Sequence, residues 1–226
     1  MKIGFLSAAA LLYLPLSFSS AAAEHPGVIR GTVVDERGSP VAAVQVSVDS
    51  LDGLPTVAPV RMDETDKAGH FSIGNLEFGG YKVFAMKESA RYPNTSFAFY
   101  SNHIFATATL AANVPVADLT LTIGPVAGVV TGLVSNAEND PINATFLLRR
   151  ASDPDNWISM SQRPEYRILL PPGTDVVLEV SAPGYKTWYH GGPSDTLGRP
   201  PIRLESGKEM RLDIRLEPVE QPVKQQ

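Results

Sequence analysis

The sequence predicts an all-β fold, two tandem β-sandwiches following a signal peptide. Three observations predict it. Apolar and polar residues alternate with a period of two in several short runs, the pattern of strands with one buried and one wet face. Those runs are punctuated by 19 prolines and 18 glycines, which favours many short strands over long helices. Landmarks of the first half also recur in the second half, at an offset of 101 residues early and 94 to 95 later.

In chain order, residues 1–23 read as an export signal. Met1 and Lys2 give a short positive start, Ile3 to Phe18 is almost wholly apolar, and small residues run from Ser19 to Ala23. That is the charged head, apolar middle and small-residue end that a signal peptidase requires. The stretch is broken by Ser and Pro and is marginal for a membrane, whose hydrocarbon core takes about 20 apolar residues. No other segment is apolar enough to span, so the mature chain is expected to have no membrane span. Without a cysteine it can carry neither disulfides nor a lipid on an amino-terminal thiol, and no lipid anchor is expected. Its domains must hold by burial alone. The expected compartment is the periplasm or the extracellular space. A formal charge of -5 and the absence of any Lys/Arg cluster argue against nucleic acid as a partner.

Val28 to Val34 is largely β-branched and ends in a turn at Asp35 to Pro40. Val44, Val46 and Val48 alternate with polar residues. A turn at Asp66 to Gly69 precedes Phe71 and Ile73 on one face. Glu77 to Gly80 turns into the strand-like Tyr81 to Met86, and Leu119 to Ile123 closes the region. Phe105 to Val114 is alanine-rich, but its threonines and the following Pro115 favour strand and loop over helix. The second half then repeats the first. Gly31, Val33, Pro40 and Val41 match Gly132, Val134, Pro141 and Ile142, and Phe71, Ile73 and Gly79 align with Tyr166, Ile168 and Gly173. Leu212, Ile214 and Leu216 close the second unit. A repeat this long is a whole domain, because solenoid repeats run about 20 to 45 residues. The expected domains are residues 24–124 and 125–217, joined without a long linker near Gly124 to Ala127, with 218–226 a flexible tail.

The first unit carries GxVxDxxGxP at Gly31, Val33, Asp35, Gly38 and Pro40. It also carries TDxxGxFxIxxLxxGxY at Thr65, Asp66, Gly69, Phe71, Ile73, Leu76, Gly79 and Tyr81. These marks resemble the carboxypeptidase regulatory-like domain, a transthyretin-like and Ig-like sandwich of about seven strands. The second unit departs from the pattern: Asn136 stands for Asp35, Asn139 for Gly38, and the TDxxG turn is missing before Tyr166. The resemblance implies a non-catalytic appendage more than any activity. On physical grounds Gly38, Gly69 and Gly79 permit tight turning, while Asp35 and Asp66 can bond backbone amides two residues onward.

No recognised catalytic spacing is present. The histidines His25, His70, His103 and His190 are scattered, and zinc wants three or four converging ligands. Asp63, Glu64 and Asp66 form an acidic cluster that reads as a turn, with calcium as its functional alternative. No cofactor is expected. The alternative to a binding protein is a hydrolase with a spatially assembled site, in which His190 or His70 would meet a carboxylate. Asn94 and Asn143 fit the glycan-acceptor pattern.

Aromatic clusters are the candidate binding residues: Tyr92, Phe97, Phe99 and Tyr100 in the first unit, and Trp157, Trp188, Tyr189 and His190 in the second. Trp157 reads as part of a loop, DPDNW. Flat rings beside polar residues suit a sugar face or a protein-docking patch; plain packing is the competing reading. The expected partner is a protein or carbohydrate at the cell envelope. Another role open to such a module is assembly with an exported protein through a free strand edge.

Overall fold

Alternation in the sequence becomes alternation in burial. The computed structural model describes residues 26–51, 61–192 and 200–219; the expected signal peptide, His25 and residues 220–226 of the expected tail lie outside the described residues. The first seven strands are β1 (Gly27–Val34), β2 (Gln45–Ser50), β3 (Arg61–Glu64), β4 (His70–Leu76), β5 (Gly79–Met86), β6 (Ala106–Leu110) and β7 (Val116–Thr122). They form two sheets, ordered β4-β1-β7 and β3-β2-β5-β6. Ile29, Val33, Phe71, Ile73 and Leu121 of one sheet meet Val46, Val48, Tyr81, Val83 and Leu110 of the other in one buried cluster.

The second unit has β8 (Gly128–Ser135), β9 (Ala144–Arg150), β10 (Asp153–Gln162), β11 (Glu165–Leu170), β12 (Val176–Ser181), β13 (Trp188–Tyr189), β14 (Glu209–Arg211) and β15 (Ile214–Arg215). Its sheets are β11-β8-β14, with β15 also on β8, and β10-β9-β12-β13. This is the strand order of the first unit, with β14 and β15 together in the place of β7. In each unit the first strand runs antiparallel to one neighbour and parallel to the closing strand. The second core joins Val130, Val134, Tyr166 and Ile168 to Phe146, Leu148, Leu178 and Val180. Among the described residues each sheet is built within one unit.

The repeated landmarks have repeated causes. A Cβ on Gly31 would lie 1.9 Å from the Leu119 carbonyl oxygen, and one on Gly132 would lie 2.0 Å from that of Leu212. The closing strand passes where a side chain would be, so both positions need glycine. Asp35 Oδ1 accepts the N–H groups of Arg37 and Ser39, each at 2.9 Å. Asn136 Oδ1 accepts those of Glu138 and Asp140 at 3.0 and 2.8 Å. The Asp-to-Asn departure therefore keeps the turn, since either side chain presents the accepting oxygen. Asn139, like Gly38, adopts a positive φ (68° against 80°), which Asn tolerates better than most residues.

Three expectations are corrected in detail. Asp63 and Glu64 lie in strand β3, not in a turn. Trp157 lies in β10, just past a bulge between Asp153 and itself. Pro218 and Val219, placed by the sequence in the tail, pair with Tyr185 and Gly184. Phe105 to Val114 contains strand β6, as its threonines implied.

Candidate functional site

The aromatic segment of the first unit is the β5–β6 connection, residues 87–105. A 3-10 turn at Glu88–Ala90 comes first, and the α-helical turn α1 (Ala98–Ser101) is closed by Asn102 in the left-handed conformation, whose N–H bonds the Ala98 carbonyl at 2.7 Å. That turn sits against the second unit. Phe99 is fully buried among second-unit side chains. Its carbonyl accepts two hydrogen bonds from the Arg150 guanidinium, at 2.9 and 2.7 Å, while burial lowers the Arg150 pKa. Tyr100 packs beside Ala127, Val129 and Leu169 and donates to the Leu169 carbonyl at 3.3 Å; its phenol pKa is pushed up, chiefly by burial. Arg91 donates to the Gly207 carbonyl at 2.9 Å, pairs with Glu209, and accepts the Ala127 N–H on its own carbonyl. Tyr92 is half-buried against the first core, and Phe97 is exposed. So the structure assembles Phe99 and Tyr100 into the junction between units and leaves Phe97 outside it.

The corresponding connection of the second unit, residues 182–187, is short and ends at Trp188. Register fixes where the two aromatic strand residues point. Trp188 is opposite Val180, which is buried, and packs against the second core; Tyr189 is opposite Glu179, on the outer face. Trp157 is opposite Arg149, also outward, and is 54% exposed. Trp157 and Tyr189 thus share the outer face of one sheet but stand on its opposite edge strands, offset by two residues along them and so about 16 Å apart at normal strand spacing and rise. Arg149 and Glu179 pair between them at 3.6 Å. Trp157 and Trp188 do not form a joint platform.

At the β13 edge the two sheets gape. A groove of about 520 Å³ is lined by Lys186, Trp188, Tyr189, Gly191, Arg215 and Glu217, among others. Trp188 supplies a flat apolar surface, and Lys186 pairs with Glu217 at 3.3 Å on the rim. Gly191 turns at φ 82°. His190 lies beside Trp188 with its ring tilted by 54° and the ring centroids 6.1 Å apart, and burial lowers its pKa. Sequence reasoning missed Lys186, Arg215 and Glu217. Arg215 arrives on the closing strand, which pairs with β8, so no local spacing announces it.

Of the acidic and histidine candidates, Asp66 and His70 meet at a turn, while Asp63 in β3 braces the neighbouring strand β4. Asp66 Oδ1 accepts the N–H groups of Ala68 and His70, each at 2.8 Å, and these bonds hold its pKa down, His70 first. The His70 ring lies 3.5 Å from the same carboxylate, with both side chains exposed. Asp63 accepts the Ser72 N–H at 2.7 Å. Among the described residues no three acidic, His or Cys side chains are grouped to hold a metal ion, and no helix is long and apolar enough to cross a membrane. Asn143 is exposed, and Asn94 is half-buried with its Oδ1 on the Ser96 N–H.

No protein-family model matches this chain. No curated protein matches it either. Solved structures that align with it include a minor pilin of Streptococcus agalactiae, at 14% identity and a TM-score of 0.37 over 88% of this chain and 99% of that one. A shaft pilin of Lactobacillus rhamnosus GG aligns at 10% identity and a TM-score of 0.33, over 87% of this chain and 99% of that one. The Bacillus anthracis TIE protein aligns at 16% identity and a TM-score of 0.34, over 85% of this chain but 34% of its own length. This chain thus spans about a third of the TIE protein. All three TM-scores lie below 0.5.

Proposed function

We infer that this protein is an exported, non-catalytic β-sandwich module of the cell envelope or secreted space that binds carbohydrate in the β13 groove of its second unit. The observation that carries the reading is the groove itself: the flat Trp188 surface beside the charged rim of Lys186, Arg215 and Glu217. Ring faces of sugars stack on aromatic surfaces, while their hydroxyls take hydrogen bonds from charged and polar rims. The marks at Gly31 to Tyr81 support placing the first unit with the carboxypeptidase regulatory-like domains, and with them an appendage role. In this reading 24–124 and 125–217 are the domains and 1–23 the export signal. Trp157 and Tyr189, on the outer face, are secondary contact points. The test is a glycan array on the processed chain, followed by calorimetric titration of any hit. Trp188→Ala and Lys186→Ala are expected to weaken binding about tenfold or more, with far-UV circular dichroism unchanged. Absence of a saturable glycan, or full binding by both variants, overturns the assignment.

A further inference from the structure

Strand β10 is an outer strand of its sheet and the longest strand among the described residues. An outer strand offers a row of unpaired N–H and C=O groups, and soluble proteins guard such rows with charge, proline, bulges or brevity. The first unit does so at the same place in the repeat: β3 is four residues long and carries Arg61, Asp63 and Glu64. The α1 turn of the first unit packs against β10, and the strand's own guards stop early. Pro154, Asp155 and the bulge are confined to its start. From Trp157 to Gln162 it pairs with β9 in unbroken register and bears no charge, proline or glycine. Trp157, Ser159 and Ser161 all face solvent from this run.

The ends of the run name its occupant. Asp155 precedes it and Arg163 follows it, and both are exposed. Two copies of this strand laid antiparallel about a two-fold axis bring each Asp155 to the other copy's Arg163 end; a parallel pair would set like charges side by side. With Ser159 on the axis, each Trp157 lies opposite the other copy's Ser161, so both rings are covered. We propose that β10 is a homodimerisation edge, at which a second copy of this chain adds its own β10 antiparallel and joins the two outer sheets into one continuous eight-stranded sheet.

The experiment is sedimentation equilibrium on the processed chain through the micromolar range. The wild type is expected to be dimeric. Ser159→Lys with Ser161→Lys changes only exposed side chains, so the fold is expected to persist by circular dichroism while the dimer is lost. Asp155→Arg alone is expected to weaken the dimer about tenfold, and adding Arg163→Asp is expected to restore it. A monomeric wild type overturns the proposal, as does a dimer indifferent to the lysines. Failure of the double charge exchange to restore the dimer overturns the antiparallel register.

Discussion

Two connections occupy the same place in the repeat and meet different fates. Residues 87–105 join β5 to β6, and residues 182–187 join β12 to β13; both bring aromatic residues to a sandwich edge. The long connection reaches across to its neighbour, where Phe99 enters the second core and Arg91 and Arg150 tie the two units. The short one turns straight back, so Trp188 covers only its own sheet edge and a groove stays open beside it. The long connection carries Tyr92, Phe97, Phe99, Tyr100 and Phe105, the short one only Tyr185 ahead of Trp188 and Tyr189; reach differs as well. A ring becomes a structural plug or the lining of an open groove according to whether the chain carrying it is long enough to find another core.

The sharpest break of this comparison is Phe99→Ala. Phe99 belongs to the first half of the sequence, but its ring is buried in the second core, and truncating a buried Phe costs about 3–5 kcal/mol. The two tryptophans, Trp157 and Trp188, both lie in the second unit, so their fluorescence follows that unit during urea unfolding. The midpoint of the fluorescence transition is expected to fall sharply. An unchanged fluorescence transition alongside a displaced circular dichroism transition would mean that Phe99 stabilises only its own half.

The next break uses the two equivalent glycines. Gly31→Ala and Gly132→Ala each force a methyl group onto a carbonyl oxygen of the closing strand, and overpacking of this kind costs about 1–3 kcal/mol or more. Gly132→Ala is expected to lower the fluorescence midpoint directly. Gly31→Ala is expected to show first in circular dichroism, reaching the tryptophans only through the 87–105 segment. Equal effects of both variants on the two probes would show that the halves unfold as one cooperative unit.

What the sequence disclosed follows the same division. Strands β2 and β4 were legible because each buries alternate residues, and a period of two is written into the local sequence; β1 was legible from its β-branched run, and β8 from its match to the landmarks of β1. The turns at Asp35 and Asp66 were legible because their bonds span two to four residues. Strand β3 was not, since Arg61–Glu64 has no buried residue to mark a face. The start of β10 was hidden because Asp153, Pro154 and Asp155 lie in a bulge and read as a loop. Phe99 was flagged as one of a cluster, but nothing within the cluster says which core receives it; that depends on how two whole sandwiches are placed. The groove was half legible: Trp188, Tyr189 and His190 are adjacent in sequence, whereas Arg215 and Glu217 come from the closing strand.

Arg150 tests the polar side of the plug. Its guanidinium gives the Phe99 carbonyl two hydrogen bonds and lies 6.0 Å from the Phe99 ring centroid. A partly exposed charge-assisted pair of this kind contributes about 1–2 kcal/mol, so Arg150→Ala is expected to lower the fluorescence midpoint by less than Phe99→Ala. Combining the two should cost less than the sum of the single losses, because neighbours sharing one contact are not additive. Strict additivity in a double-mutant cycle would show that the arginine acts through the residue-99 carbonyl, which the alanine variant keeps, and not through the Phe99 ring.

The smallest effect separates the closing strands. In the second unit Asp213 fills the break between β14 and β15, accepting the Leu133 N–H at 2.9 Å and a hydrogen bond from Arg211 at 3.1 Å. Both hold its carboxyl below the usual carboxylate range, Arg211 foremost. A folded pKa below the unfolded value of about 3.9 means that the stabilisation is present above that pH. It is lost as pH falls through the depressed folded value. Asp66 behaves alike in the first unit, so acid weakens both halves, but only Asp213 should register in the tryptophans directly. Asp213→Asn keeps an oxygen for the Leu133 N–H while removing the charge. Its fluorescence midpoint is expected to lie slightly below wild type at neutral pH, and the gap should close as the carboxylate of the wild type is protonated. A gap that stays constant from neutral to strongly acidic pH would assign the role of Asp213 to shape and not to charge. The continuous strand β7 would then differ from its broken counterpart in geometry alone.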